Sequence, residues 1–279
     1  MKLLIIDGHN LYFQMFFGMP SRITGKDGRA IQGTLGFVGA LLKIIRMTEP
    51  THVVVLFDGE HENARSEINA EYKANRPGYT DAPDEDNPFV QLPDVYSALN
   101  FLGIKNTEIE VVEADDVIAA YAVQYGSQME MVISSLDSDF FQLISDNVSV
   151  LRYRGKLTEI CDTQYVIDKF GITPQKYAEF MSLTGDASDN IKGAEKVGPK
   201  TAAQLIRQFG SLTEIIRRSE EIEKPSIKAS IQKNAERLLQ NYKMINLDGS
   251  ADLPFNLDEL SYTSCGIITT EVLQAIGLK

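Results

Sequence analysis

The sequence predicts an α/β protein with a doubly wound, mostly parallel sheet, followed by a helical C-terminal region. Three β-type apolar runs each end in an aspartate, namely Lys2 to Asp7, His52 to Asp58 and Met131 to Asp137. Segments with apolar residues at helical spacing, such as 33–47 and 113–125, alternate with these runs. Alternating strand and helix patterns indicate parallel strands that are joined by crossover helices.

The other elements of the first half follow from local signals. A glycine-punctuated loop is expected after Asp7, because Gly and polar residues directly follow the strand. Asp94 to Leu102 is predicted to be a helix, because Pro93 precedes it at a position where helices begin. Val148 to Tyr153 is predicted to be a further strand, placed toward an edge of the sheet.

Between residues 60 and 93 the alternating pattern fails. The stretch is rich in proline and carries an acidic cluster between Asp81 and Asp86. A connection this long within a compact domain is usually functional or disordered. We expect a helix from Glu62 to Ala74 and a mobile segment after Arg76.

The C-terminal part is predicted to be helical from about Cys161. The sequence therefore suggests an α/β core over residues 1–160 and a helical region over residues 161–279. Proline at a first turn, glycine after a last turn and serine at an N-cap mark the helix ends. The predicted helices are Gln175 to Leu183 after Thr173 and Pro174, Lys200 to Phe209 before Gly210, Leu212 to Arg218 after Ser211, and Asn234 to Leu247. The last ~30 residues give no clear signal.

Composition narrows the class of protein. No apolar run approaches the ~18 residues that a membrane span requires. Two cysteines, Cys161 and Cys265, are too few for a disulfide framework. The chain starts with a strand pattern rather than a signal peptide, so we expect a cytoplasmic protein. The net charge of −12 argues against a polyanionic partner, but residues 192–243 carry eleven Lys or Arg and six Glu, a net charge of +5.

Nine carboxylates lie at the ends of apolar runs or in short turns. They are Asp7, Asp58, Glu113, Asp115, Asp116, Asp137, Asp139, Asp186 and Asp189. Taken singly, each motif is compatible with a turn-capping residue or with a helix-dipole interaction. Together they would repel one another at one edge of a parallel sheet unless cations lay between them.

Oxygen ligands without imidazole favour Mg²⁺ or Mn²⁺ over Zn²⁺. The first five acids, from Asp7 to Asp116, are predicted to hold one ion, and the four from Asp137 to Asp189 a second. Two such ions activate a water molecule and stabilise the leaving oxygen of a phosphodiester. No nucleophilic side chain is needed for that reaction.

Two segments are candidates for phosphate binding. Lys73 and Arg76 are three residues apart, so one helical face can direct both toward a phosphate, and Tyr72 can stack on an unpaired base. The second segment is a glycine-containing turn that leads into a helix N-terminus, where exposed backbone N–H groups bind phosphate. Its candidate residues are Lys192, Gly193, Lys196, Gly198, Lys200 and Thr201.

The ordered motifs closely resemble the 5′-nuclease superfamily, which includes flap endonucleases and the 5′-nuclease domain of bacterial DNA polymerase I. In chain order they are Asp-Gly, Phe-Asp-Gly, Tyr-Lys-x-x-Arg-Pro, Glu-Ala-Asp-Asp, Asp-x-Asp and Gly-Asp-x-x-Asp-Asn, within the first ~245 residues. The resemblance implies a PIN-like sheet, a helical arch over about residues 60–93, and a helix–three-turn–helix element that grips duplex DNA.

The resemblance also implies roles for individual residues. Lys73 and Arg76 would lie in the arch and contact the scissile phosphate. Gly193, Gly198 and Lys200 would lie in the duplex-binding turn, where relatives hold K⁺ through backbone carbonyls. All nine acidic positions of the family are filled in this chain.

One position departs from the family pattern. The turn usually has Gly-x-Gly, whereas this chain has Lys196, Val197 and Gly198. If Lys196 takes a positive φ, the conformation costs about 1 kcal/mol or more.

The sequence therefore predicts a monomeric 5′→3′ exonuclease and flap endonuclease with two divalent ions. Its substrates would be branched, nicked or 5′-flap DNA, or an RNA–DNA duplex, and its catalytic residues Asp7, Asp58, Lys73 and Arg76. A PIN-type ribonuclease, a non-catalytic flap-binding protein and an Asp-x-Asp phosphatase are the alternatives. The first gives no purpose to residues 190–202, the second leaves nine acids unused, and the third leaves all but two of them idle.

Overall fold

A computed structural model describes residues 1–19, 21–59, 79 and 82–279. Six of its strands form one sheet, and these are β1 (Lys2–Asp7), β2 (His52–Asp58), β3 (Lys105–Ile109), β4 (Glu130–Ser134), β5 (Val148–Arg152) and β6 (Glu159–Cys161). Their order across the sheet is β3-β2-β1-β4-β5-β6. All neighbours are parallel except β6, which pairs antiparallel with β5.

The strand order reverses its direction between β1 and β4. Chain connections lead outward from β1 through β2 to β3 on one side, and from β4 to β5 on the other. Ligands of doubly wound sheets bind outside the carboxyl ends of the strands at such a switch point. Asp7, at the end of β1, is therefore at the position where a ligand is expected.

Helices cover both faces of the sheet. The first half contains α1 (Gly8–Gly18), α2 (Gln32–Thr48), α3 (Leu92–Phe101) and α4 (Ala114–Tyr125). Alternate residues of β1 point to opposite faces, so that Leu4 and Ile6 pack with α1, α2 and α3, whereas Leu3 and Ile5 pack with α4. Strands that are buried on both faces read as continuous apolar runs, which is why the sequence showed them clearly.

The C-terminal half is helical. Its elements are α5 (Thr163–Phe170), α6 (Tyr177–Thr184), the two-residue strands β7 (Gly185–Asp186) and β8 (Ile191–Lys192), α7 (Pro199–Phe209), α8 (Leu212–Arg217), α9 (Pro225–Ile245) and α10 (Thr269–Ala275). Apolar residues of α5 to α9 join the core on the α4 face of the sheet. The helical region thus shares one hydrophobic core with the sheet.

Several expectations about single elements were wrong. Residues 8–18 form a helix rather than a loop, because the Asp7 side chain caps it by accepting a hydrogen bond from Asn10 N. The strand after α4 ends at Ser134, three residues before Asp137. The position of β5 agrees with its prediction toward an edge, since β6 alone lies beyond it in the sheet that the structure describes.

Helix ends in the C-terminal half also differ from the predictions. The helix expected over Asn234 to Leu247 starts at Pro225 instead, since Pro225 occupies the first turn. The segment after Thr173 opens with a 3₁₀ turn over Pro174–Lys176, and the α-helix follows. Ser211 caps α8 as predicted, by accepting a hydrogen bond from Glu214 N at 3.1 Å.

Within the part of the chain that the structure describes, no helix is both long enough and apolar enough to span a bilayer.

Candidate functional site

Asp7 is a buried carboxylate at the switch point, with 8% of its surface exposed. It accepts hydrogen bonds from Asn10 N at 3.1 Å and from Ser135 Oγ at 2.8 Å. Burial, together with the charges of Asp58 and Asp137, raises the pKa of Asp7 to about 7, although both hydrogen bonds oppose the shift. The site therefore crowds negative charge around a carboxylate that resists ionisation.

Asp58 connects the end of β2 to the start of α4. Its Oδ1 accepts a hydrogen bond from Ala114 N at 2.9 Å, which places the first turn of that helix beside the sheet edge. Asp115 and Asp116 belong to this turn, and Glu113 precedes it with 6% exposure. Three predicted ligands are thus brought to the carboxyl end of β2.

His9 contacts the same strand end. Its Nδ1 accepts a hydrogen bond from Asp58 N at 3.2 Å, and its ring stacks on Phe13 at 5.2 Å and meets Phe57 edge-on at 5.4 Å between centroids. Burial lowers the pKa of His9, although the Asp58 and Glu108 carboxylates oppose that shift. A neutral ring that accepts at Nδ1 fits this arrangement.

The turn after β4 brings two further predicted ligands to the switch point. Asp137 N donates to Ser135 Oγ at 3.0 Å, and Asp139 N donates to Asp137 Oδ1 at 2.8 Å. Because Ser135 also donates to Asp7, a continuous chain of hydrogen bonds links Asp7 to Asp139 across the reversal of strand order.

Two other side chains fix the same turn at Leu136. Its N–H donates to Asn10 Oδ1 at 2.9 Å, and its carbonyl accepts from Arg152 Nη2 at 2.8 Å. Arg152 ends β5 and lies over the Phe141 ring at 5.6 Å. The turn is therefore held by α1 on one side and by the end of β5 on the other.

Tyr177 links this turn to the acids of the helical region. Burial raises the pKa of Tyr177, and the carboxylates of Asp139, Asp186 and Asp137 add to the rise, while a hydrogen bond with Ser138 opposes it. Three carboxylates of the predicted second set are thus near one phenol.

Asp186 and Asp189 lie on a short hairpin between α6 and the following turn. Strands β7 and β8 pair antiparallel, and the loop between them holds Asp189, of which 7% is exposed. Asp186 Oδ1 accepts from Ser188 N at 2.8 Å. Asn190 closes the loop with φ of 59°, a conformation that asparagine tolerates better than most residues.

The turn that leads into α7 has the features expected for phosphate binding. Lys192, Lys196 and Lys200 are exposed, as is Gly198, whereas Gly193 and Thr201 are half-buried. Lys196 has φ of 66°, so the positive φ that the departure from Gly-x-Gly raised as a condition is present. Helix α7 begins after Gly198, so that exposed N–H groups and Lys200 lie at its N-terminus.

The chemistry of these groups fits hard divalent cations. The donors are carboxylate oxygens, and the mutual repulsion of Asp7, Asp58 and Asp137 would be relieved by positive charge. Within residues 1–19, 21–59, 79 and 82–279, however, no three acidic, histidine or cysteine side chains converge as a ready set of metal ligands. The assignment of the nine ligands remains a prediction.

Tyr72, Lys73 and Arg76 lie outside the described residues, as do the predicted helix from Glu62 to Ala74 and most of the expected arch. The structure therefore gives them no place in the site.

Sequence reasoning did not identify several residues that hold the site together. Asn10, Ser135 and Arg152 bind backbone or carboxylate groups far along the chain. The run Ser134-Ser135 between an apolar strand and Asp137 was a usable signal, because a hydroxyl at a strand end can reach the neighbouring carboxylate. Arg152 gave no such signal, because its partner becomes a neighbour only in the folded sheet.

Acids at the carboxyl ends of parallel strands, next to a lysine-rich turn at a helix N-terminus, are the arrangement expected of a phosphodiester-cleaving nuclease. Comparison with known proteins agrees. Residues 2–171 match the family model "5'-3' exonuclease, N-terminal resolvase-like domain", and residues 172–266 match "5'-3' exonuclease, C-terminal SAM fold".

Curated relatives and solved structures point the same way. A 5'-3' exonuclease of Aquifex aeolicus is 34% identical over 92% of this chain and 86% of its own length. The thermostable DNA polymerase I of Thermus thermophilus is 32% identical over 92% of this chain, which spans 30% of that protein. The fold resembles that of bacteriophage T5 5'-exonuclease with bound divalent metal ions (zinc), with a TM-score of 0.74, 23% identity and coverage of 99% and 100% of the two chains.

The chain belongs to the 5'-3' exonuclease family. This membership confirms the resemblance, the fold class and the 5′-nuclease activity that the sequence predicted. The matched models divide the chain at residues 171 and 172, near the end of α5.

Proposed function

We propose that this protein hydrolyses DNA phosphodiesters at nicks, branches and 5′ flaps, as a 5′→3′ exonuclease and flap endonuclease that uses two Mg²⁺ or Mn²⁺ ions. One observation carries the proposal: the charges of acids from β1, β2 and the turn after β4 act on one another at the carboxyl end of the sheet, and the lysine-rich turn follows directly on the acidic hairpin. Cleavage chemistry and duplex binding are thus adjacent.

Five acids, Asp7, Asp58, Glu113, Asp115 and Asp116, would hold one ion, and Asp137, Asp139, Asp186 and Asp189 the other. When bound, the ions supply an activated water and stabilise the leaving oxygen. The described residues of the chain prepare these ligands: Ser135 and Asn10 orient Asp7, and the first N–H of α4 orients Asp58.

Substrate positioning would fall to two basic segments of the chain. Lys200 and the N–H groups at the start of α7 would bind a phosphate of the duplex irrespective of base sequence. Lys192, Gly193, Lys196, Gly198 and Thr201 complete the proposed duplex-binding turn. Lys73 and Arg76 would position the scissile phosphate and Tyr72 would stack on an unpaired base, which is proposed on sequence alone.

The comparisons support the metal proposal. The T5 5'-exonuclease of similar fold is described with bound divalent metal ions, and the Aquifex relative is named a 5'-3' exonuclease. We also propose that carbonyls of the turn bind K⁺ and that RNA–DNA duplexes are substrates. The protein is further proposed to be a cytoplasmic monomer, with a boundary near residue 160 between the two regions.

A cleavage assay with three substrates tests the proposed function. A 5′-labelled flap, a nicked duplex and a single strand are each incubated with Mg²⁺, Mn²⁺ or EDTA. We expect short 5′ products from the flap and the nicked duplex with either metal, and none with EDTA. Equal cleavage of the single strand, or cleavage in EDTA, would contradict the proposal.

A further inference from the structure

Helix α9 carries a buried polar stripe that faces the acidic hairpin and the duplex-binding turn. Its members, Ser230, Asn234, Arg237 and Asn241, are four, three and four residues apart, which places them on one side of the helix. Ser230 is 7% exposed, and Asn234 and Asn241 are 5% exposed each. Polar groups buried to this degree require partners.

Asn241 binds both ends of the acidic hairpin. Its Nδ2 donates to Ser182 O at 3.1 Å, in the last turn of α6, and to Lys192 O at 2.9 Å, at the end of β8. The hairpin with Asp186 and Asp189 lies between these two carbonyls. One amide group therefore determines the separation of its two ends.

Arg237 and Asn234 bind the turn that follows. Arg237 Nη2 donates to Gly193 O at 2.7 Å, and Asn234 Nδ2 donates to Glu195 Oε2 at 2.6 Å. Ser230 Oγ donates to the same Glu195 oxygen at 3.3 Å. The turn is thus held at two successive points by the same face of α9.

Hairpin and turn are also in direct backbone contact. A Cβ atom added to Gly193 would lie 2.3 Å from Thr184 C and 2.5 Å from Gly185 N, and one added to Gly185 would lie 2.5 Å from Gly193 N. Ala194 N donates to Leu183 O at 2.9 Å at the same crossing. Neither segment can shift there without displacing the other.

We infer that the polar stripe of α9 holds the acidic hairpin and the duplex-binding turn as one unit, and that Arg237 and Asn241 are positioning residues for both duplex binding and cleavage. The inference rests on the proposed function, because it assigns those two roles to the two segments. Asp186 and Asp189 then keep a fixed position relative to duplex DNA that is bound to the turn.

This relative position matters because small displacements of catalytic groups strongly reduce reaction rates. If the duplex-binding turn moved independently of the hairpin, loss of its contacts with α9 would lower duplex affinity and leave the cleavage rate at saturation unchanged. If the two segments form a single unit, loss of the α9 contacts lowers both the affinity and the rate.

Four variants test the inference. Asn241→Leu keeps the approximate volume and removes both donors, and Arg237→Met keeps the aliphatic stem without the guanidinium. Arg237→Lys retains one donor for Gly193 O. Gln240→Ala, on the exposed side of the same helix, is the matched control.

Three quantities are measured for each variant: duplex affinity in EDTA, single-turnover cleavage of a 5′ flap at saturating enzyme with Mg²⁺, and amide hydrogen exchange of residues 183–198. Asn241→Leu and Arg237→Met are expected to lower affinity and cleavage rate by about 10-fold each, the scale of leaving buried carbonyls without donors, and to speed exchange in both segments. Arg237→Lys should stay within about 3-fold of wild type, since one donor remains. Gln240→Ala should match wild type in all three measurements.

Loss of affinity with an unchanged rate at saturation would overturn the inference, as would faster exchange in the turn with none in the hairpin. If Asn241→Leu does not unfold cooperatively, and is therefore not properly folded, the comparison of Arg237→Met with Arg237→Lys tests the inference. If the wild type does not cleave the flap, the proposed function is refuted instead. Amide hydrogen exchange would still show whether the hairpin and the turn behave as one unit.

Discussion

The acids at the sheet edge and the acids on the hairpin are positioned in different ways. Asp7 and Asp58 are the last residues of the parallel strands β1 and β2, and Asp137 and Asp139 lie in or just after the turn that follows β4. These strands are buried on both faces. The hairpin that carries Asp186 and Asp189 has strands of only two residues each. Its support comes from a helix more than 40 residues further along the chain.

The difference shows where each region is sensitive. At the sheet edge, topology sets the carboxylate positions, and short hydrogen bonds such as that from Ser135 to Asp7 adjust them. At the hairpin, the carboxylate positions are set by the close contact between Gly185 and Gly193 and by hydrogen bonds from side chains of α9. Substitutions near the first region should therefore affect charge and chemistry, and those near the second should affect geometry.

The largest effect is expected at the link between the regions. Asp137→Asn with Asp139→Asn removes two charges from the predicted second ligand set and leaves the lysine-rich turn intact. We expect single-turnover cleavage of a 5′ flap to fall by more than about 100-fold, as for the loss of an electrostatic group that acts in the transition state. Duplex affinity in EDTA should not fall.

The matched control is Asp146→Asn, an exposed acid before β5 outside the predicted ligand set. Undiminished hydrolysis in the double variant would remove both residues from the metal assignment.

The next effect concerns the electrostatics of the sheet edge. The pKa of Asp7 is about 7 in the folded protein and 3.8 when unperturbed, so between these values the folded state keeps a proton that the unfolded state loses. Its contribution to stability is therefore complete below pH 3.8 and declines as pH rises toward 7, by up to about 4 kcal/mol. Asp7→Asn removes this decline.

Urea unfolding of wild type and Asp7→Asn in EDTA from pH 4 to pH 8 measures this effect, because titrating groups that do not interact with Asp7 cancel in the difference. The variant should become increasingly more stable than wild type as pH rises, and Mg²⁺ at pH 8 should narrow the gap. A difference that does not change with pH would show that Asp7 ionises normally.

A smaller effect isolates the hairpin and its crossing with the turn. Gly193→Ala places a methyl group against the backbone of Thr184 and Gly185, and overpacking of this kind costs about 1–3 kcal/mol. Gly18→Ala has nothing within 4 Å of the added atom and is the control. Equal free energies of unfolding in urea for both variants would mean that the crossing is loose.

The smallest effect is expected at Lys196. Its φ of 66° favours glycine, so Lys196→Gly should raise the free energy of unfolding by about 1 kcal/mol. The same substitution removes an exposed cation and should weaken duplex binding at low salt. Lys196→Ala is the control, since it loses the charge and keeps the strain. If Gly and Ala variants were equally stable, the backbone at this position would carry no strain.

The sequence was most informative where one local pattern determines one element. β1, β2 and α2 were predicted because apolar runs and helical spacing are strong there. β3, Lys-Asn-Thr-Glu-Ile, escaped notice because it is a polar edge strand. α1 was mistaken for a loop because Asp7 and Gly8 also suit a turn, and only the cap on Asn10 N distinguishes the two.

Much the same holds for the site. The acids were recognisable by their order along the chain, but the side chains that hold them were not. Ser135 reaches Asp7 across 128 residues, and Asn241 reaches Ser182 across 59. Such hydrogen bonds depend on which elements pack together in the fold. A single sequence does not show which distant partner an isolated polar residue will contact.

Anomalous diffraction from crystals grown with Mn²⁺ tests whether divalent ions bind at the switch point of the sheet. We expect an anomalous peak at coordination distance, about 2.1 Å, from an Asp7 carboxylate oxygen, with ligands from Asp58 or the first turn of α4. A second peak is predicted among Asp137, Asp139, Asp186 and Asp189. Strong Mn²⁺ peaks elsewhere on the protein, with none beside Asp7, would contradict metal binding at the switch point.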